Sequence, residues 1–133
     1  MLSKKSAAGI VKTYYDSYPA RDREAIEAVV AEDFHFTSPL DNHIDRWTYF
    51  DRCWPNGEAM AAIDIERLTL DGDHAFVTYA FLLKDGRRSR NTEVLTVKHG
   101  QITEVEVYFG WTIPHKAPPG GSLPETADQA GTV

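Results

Sequence analysis

Residues 91–111, NTEVLTVKHGQITEVEVYFGW, restrict the fold more than any other stretch. They predict two long strands joined by a tight turn at His99-Gly100. Strand alternation puts Glu93, Leu95 and Val97 on one face of the first strand, and Val105, Val107 and Phe109 on one face of the second. If both faces look into one interior, Glu93 is an acid among apolar side chains. A buried acid is costly unless it is protonated or hydrogen-bonded. The hairpin is therefore expected to floor a pocket whose main polar group is Glu93.

Upstream, the spacing of Ile10, Val11, Tyr14, Tyr15 and Tyr18 predicts a helix over residues 3–18, stopped by Pro19. A second helix is expected from Asp22 as N-cap, with Ile26, Val29 and Val30 as its stripe. Residues 34–38 alternate and predict a short strand ended by Pro39. Asp41 or Asn42 is expected to cap a third helix carrying Ile44, Trp47, Phe50 and Trp54, closed by Pro55-Asn56-Gly57. From Ala61 the chain reads as strands only. Ile63 and Ile65 share one parity and Leu68 and Leu70 the other, so a bulge is expected near Glu66-Arg67. Asp71-Gly72 and Asp85-Gly86 mark turns, and residues 74–84 are apolar on both faces. Helices followed by antiparallel strands give an α+β class: three N-terminal helices packed in a strongly curved antiparallel sheet, a cone-shaped barrel. Residues 1–113 are expected to form one domain, and residues 114–133, rich in Pro, Gly and small side chains, a tail without its own fold.

The net charge of −6 argues against a nucleic-acid or anionic membrane partner. No run approaches the roughly 20 apolar residues of a membrane span, and no signal-peptide pattern opens the chain. The lone Cys53 cannot form an internal disulfide, which fits a cytoplasmic protein. It reads as a small buried residue rather than a nucleophile. Neither GxGxxG nor GxxxxGK[ST] appears, and no HExxH-like spacing joins His35, His43 and the nearby acids, so no cofactor and no metal are expected.

The order helix, helix, strand, helix, then four long strands resembles the nuclear-transport-factor-two-like superfamily over residues 5–112. Within it, the chain resembles the SnoaL-like branch, related to polyketide cyclases and ketosteroid isomerase. The pieces that carry the resemblance are YPARDREAIEAVVAEDFHFTSP and the 91–111 hairpin. They are specific for the fold and weak for the activity, because this superfamily hosts several reactions and non-catalytic binders. The resemblance to ketosteroid isomerase puts Tyr14 at a catalytic tyrosine and Glu93 at a proton-donating acid. In that enzyme the acid is kept neutral so that it can donate a hydrogen bond, a known case. The base position falls on Ser38, which cannot take a proton from carbon.

The candidate catalytic residues are therefore Glu93, Tyr14, Asp41 and His43, with Asp41 or His43 replacing the missing base. The bland alternatives are a Glu93 carboxylate paired with Arg90 or Arg88, and Asp41 as an ordinary helix cap. Asn91 and Ser38 are candidate ligand contacts. Trp47, Phe50, Trp54, Leu95, Val107 and Phe109 are candidate walls. The expected ligand is a small apolar molecule bearing a carbonyl or hydroxyl. The expected chemistry is cofactor-independent isomerisation, cyclisation or hydration by acid/base catalysis. The alternative is a non-catalytic dimeric ligand-binding or accessory domain. A homodimer is expected through the outer face of the strands, with Tyr79 or its neighbours and Tyr108 covered.

Overall fold

The computed structural model describes residues 6–125. The first residues of the predicted opening helix and residues 126–133 of the predicted tail lie outside the described residues.

Helix α1 (Ala7–Ala20) starts at Ser6, whose hydroxyl accepts the Gly9 amide at 3.0 Å. Ile10, Val11, Tyr14 and Tyr15 form its buried stripe. Pro19 does not end the helix; it sits inside the last turn, and Arg21, at φ 55°, makes the stop. A proline there removes one backbone donor but leaves the final turn otherwise closed. Helix α2 (Arg23–Val29) is capped by Asp22, as the sequence predicts.

The chain passes directly from α2 into β1 (Val30–Ser38), which begins earlier than its alternating run suggested. The next segment differs from expectation. Asp41 and Asn42 do not cap a helix: β2 (Asp41–Asp45) pairs antiparallel with β1, with Ile44 opposite Phe36. Helix α3 (Arg46–Arg52) starts only at Asp45, whose carboxylate accepts the Thr48 amide at 2.9 Å. The sequence offers two competing caps within five residues. Pairing with β1 satisfies the backbone of the first, so the second becomes the cap. Trp54 lies beyond α3, in a 3₁₀ turn (Trp54–Ala59) with Pro55 at its start.

Four long strands follow: β3 (Met60–Asp71), β4 (His74–Leu83), β5 (Arg88–Lys98) and β6 (Gln101–Thr112). The six-stranded sheet runs β2-β1-β6-β5-β4-β3. The α+β class with three helices against a strongly curved sheet is what the sequence predicts. Two features refine it: β1 pairs parallel with β6, so the sheet is mixed, and β2 and β3 are free edges, so it does not close.

The curvature has local causes. The β3–β4 register shifts between Ile65 and Arg67, at the expected bulge. The β5–β6 register shifts between Ser89 and Asn91. Opposite that second shift, a Cβ on Gly110 would lie 2.1 Å from the Arg90 carbonyl oxygen, so only glycine lets the strands approach. The β5–β6 turn uses His99 and Gly100, both at positive φ, which matches the strand twist. Val11, Ile26, Phe34, Val77, Leu95, Ile102 and Val105 are fully buried between α1, α2 and the concave face. Each contributes roughly 1.5–3 kcal/mol of apolar burial.

Candidate active site

The register of the sheet brings the site together. Val107 lies opposite Glu93 on β6, and Val77 lies opposite it on β4. Tyr79 lies opposite Asn91 on β4, with its side chain on the same concave face. Glu93 is 5% exposed. Its Oε1 accepts the Tyr15 hydroxyl at 2.7 Å and its Oε2 accepts the Tyr79 hydroxyl at 2.5 Å. Asn91 donates its amide to the Tyr79 oxygen at 3.2 Å, and its own Oδ1 accepts the Gly110 amide at 3.3 Å. The chain of bonds therefore ends on the bulged strand. Among the described residues no cation pairs with Glu93. Arg90 turns to the opposite face and grips Glu66 through two bonds, at 2.6 and 3.0 Å.

Removal from water pushes the Glu93 carboxyl from its ordinary 4.5 up to about 7, while the Tyr79 and Tyr15 hydroxyls pull the other way. Desolvation prevails, and the group is poised between its two forms at neutral pH. The tyrosines move in step. Burial first, and then the neighbouring Glu93 charge, raise Tyr15 and Tyr79 well above their usual value. Both phenols stay protonated and serve as donors.

Beside this network lies a cavity of about 190 Å³. One water needs roughly 10–15 Å³ on the same measure, so there is room for a small organic molecule. Glu93, Asn91, Tyr15 and Tyr79 face it from one side, Ser38 and Asp41 from another. Leu40, which also lines it, is 76% exposed, so the cavity opens at the β1–β2 turn. Asp41 accepts the Ser38 hydroxyl at 3.0 Å and meets Arg52 at 3.4 Å. The Cys53 thiol lies 3.8 Å from the same carboxylate. Burial and that negative charge push the thiol up to about 12, which keeps it from being a nucleophile at neutral pH.

Of the candidates read from the sequence, the fold brings Glu93, Tyr14, Asp41, Asn91, Ser38, Val107 and Phe109 to this cavity. Tyr14 does not touch Glu93. It bonds Tyr49 at 2.9 Å, and Tyr49 also bonds Tyr18. His43 is exposed and stacks face to face on His35, ring centres 3.9 Å apart, away from the cavity. Trp47 is 73% exposed, beside Phe50 in a separate surface groove. Trp54 and Leu95 pack in the core. Among the described residues no cluster of three His, Cys, Asp or Glu is arranged to hold a metal.

Sequence reasoning missed Tyr15 and Tyr79. Tyr79 points into the cavity, not to the outer face. The signal was present: a turn at Asp85-Gly86 sets Tyr79 opposite Asn91, in line with Glu93. Tyr15 follows Tyr14 by about 100° on the helix, and the stripe holds both.

Comparison with known proteins places this curved sheet wrapped on helices in a family. The chain belongs to the SnoaL-like domain family, which matches residues 11–105. Solved structures with the same fold include a candidate ketosteroid isomerase from Kribbella flavida, at 22% identity and TM-score 0.66, covering 93% of this chain and 87% of that one. A candidate polyketide cyclase from Sinorhizobium meliloti aligns at 24% identity and TM-score 0.62, covering 74% and 92%. An NTF2-like protein of unknown function from Cytophaga hutchinsonii aligns at 17% identity and TM-score 0.69, covering 83% and 95%. At these identities the likeness shows the fold alone. No curated protein matches the sequence. Among the described residues no helix is long and apolar enough to cross a membrane.

Proposed function

We propose that the cavity is a small-molecule site in which Glu93 transfers a proton to or from an apolar molecule bearing a carbonyl or hydroxyl. The observation that carries this reading is a buried carboxyl on a cavity wall, held by Tyr15 and Tyr79 and, among the described residues, by no cation. A group that titrates near 7 is matched to proton transfer at neutral pH. Asp41 is the second proton-transfer group. Its side chain is 11% exposed and receives the Ser38 hydroxyl, so the carboxylate missing at position 38 is supplied from across the β1–β2 turn. Isomerisation, aldol-type cyclisation and hydration all need such a pair and no cofactor. The candidate isomerase and cyclase among the structural relatives fit that range of reactions.

Deuterium exchange into cyclohexanone in D2O, followed by NMR, tests the reading without knowledge of the substrate. The protein should accelerate exchange over buffer, and Glu93→Gln should abolish the acceleration. Exchange retained in Glu93→Gln removes Glu93 from the chemistry.

One observation favours a non-catalytic binder: the phenols on the wall are already bonded to one another or to Glu93. No exchange by the native protein, together with a small molecule retained in native mass spectrometry, selects that reading. In either case the protein is a cytoplasmic homodimer joined through the outer sheet face, where Phe76, Tyr108 and Trp111 are exposed. Sedimentation at micromolar concentration should give twice the chain mass.

A further inference from the structure

We propose that the molecule bound in this cavity carries a basic nitrogen: the site selects a small organic cation, its ammonium at Glu93 and its apolar frame against the tyrosine and phenylalanine rings. The inference rests on the small-molecule reading of the site and names the class of molecule.

The first ground is charge. Among the described residues, the side chains that line the cavity include the carboxylates of Glu93 and Asp41 and no Lys, Arg or His. Asp41 already meets Arg52, which approaches from the exposed side. Glu93 has no such partner among the described residues, so it is the site of an incomplete ion pair. An anion entering here would meet two acids, and the one cation beside them, Arg52, is already engaged by Asp41. In a water-poor cavity that opposition is stronger than at the surface.

The second ground is hydrogen-bond supply. Tyr15 and Tyr79 donate to Glu93, and Tyr14 and Tyr18 are bonded to Tyr49. The Ser38 hydroxyl donates to Asp41, and the Cys53 thiol points at the same oxygen. The wall has engaged most of its donors internally. What remains for a guest is a few amide and hydroxyl hydrogens, at Asn56, Asn91 and the Tyr14-Tyr49-Tyr18 group, and the charged oxygens of Glu93 and Asp41, which call for hydrogens from the guest. A protonated amine brings them together with the missing charge.

The third ground is the remaining surface. Six aromatic residues, Tyr14, Tyr15, Tyr18, Phe36, Tyr79 and Phe109, line the cavity. Ring faces carry negative potential and attract ammonium groups, more strongly where water is excluded. The upward push on Glu93 from burial is what an ammonium neighbour would reverse.

Three probes of one shape and different charge test the inference: benzylammonium, benzyl alcohol and benzoate. Each is titrated into the full chain by calorimetry at pH 8 and about 0.15 M salt, where the attraction of the net charge is screened. Benzylammonium is expected to bind at least about tenfold more tightly than the alcohol, and benzoate at least about tenfold more weakly. Glu93→Gln should bring the amine and the alcohol to within about threefold of each other, a loss of some 1 kcal/mol of preference. If the alcohol binds as well as the amine, or benzoate binds best, cation selection is overturned while the small-molecule site stands. If none of the three binds, both readings fall. A preference for the amine that survives in Glu93→Gln overturns Glu93 as its seat. Should that variant not fold, the native ranking of the three probes still decides.

Discussion

Two glutamates on this sheet have opposite surroundings. Glu66, on β3, faces outward and is held in a two-bond grip by Arg90, which draws its carboxyl below the ordinary range. Glu93, on β5, faces inward, where burial outweighs two phenolic donors and raises it to about 7. Arg90 is only three residues from Glu93 along the strand, yet alternation sends the two to opposite faces. The same residue type therefore becomes a fixed charge on one face and a titrating group on the other. What decides is access to water and the nature of the partner, a cation outside and phenols inside.

The largest expected effect that separates the two is on chemistry. Glu93→Gln should lower cyclohexanone exchange by about 100-fold or more, the usual range for loss of a proton-transfer group. Glu66→Gln should leave the rate within a factor of about two of native. Equal losses in both variants would dissolve the distinction.

Next is the pH dependence of stability. Folded Glu93 holds its proton up to about pH 7, whereas the unfolded carboxyl releases it near 4.5. Its contribution is therefore fully present below about pH 4.5 and is lost as pH rises through 7. Over that window the loss is about 3 kcal/mol. Urea unfolding at pH 5, 6, 7 and 8 should show the decline in native protein and not in Glu93→Gln. Glu66 acts with the other sign and in another window, because its folded value is depressed. Its contribution disappears only as pH falls below about 4.5.

A smaller effect concerns the phenols. Tyr79→Phe removes a donor that stabilises the charged form of Glu93, so the carboxyl should titrate higher than in native protein. Carbon-13 NMR of labelled glutamate checks the direction. Smallest of all is Arg90→Met, which should alter the Glu66 titration and leave that of Glu93 in place. Movement of both would mean that the two faces are electrostatically coupled.

Much of the inner glutamate's setting was legible in the sequence. Parity and the His99-Gly100 turn put Glu93 in line with Leu95 and across from Val107, and the Ile65-to-Leu68 slip located the bulge. The partners were harder to see. Tyr14 and Tyr15 share one buried stripe, and periodicity does not say which hydroxyl reaches a strand 78 residues away. Segment 41–45 has caps typical of a helix start but pairs as an edge strand, because only the folded sheet supplies the β1 edge that it completes. That pairing is also what turns Asp41 toward the cavity and leaves His43 outside. Trp47 is apolar and helical, and the helix places it in a groove on the other side. Local pattern encodes faces and turns. Which long-range neighbours meet is set by register and curvature.

The most direct measurement is the carboxyl titration of Glu93 in the folded protein, by carbon-13 NMR with Glu93→Gln to assign the resonance. The midpoint expected for Glu93 is near 7. A midpoint at the ordinary 4.5 would mean a solvated or cation-paired carboxylate, and would contradict a buried acid poised at the wall of a cavity.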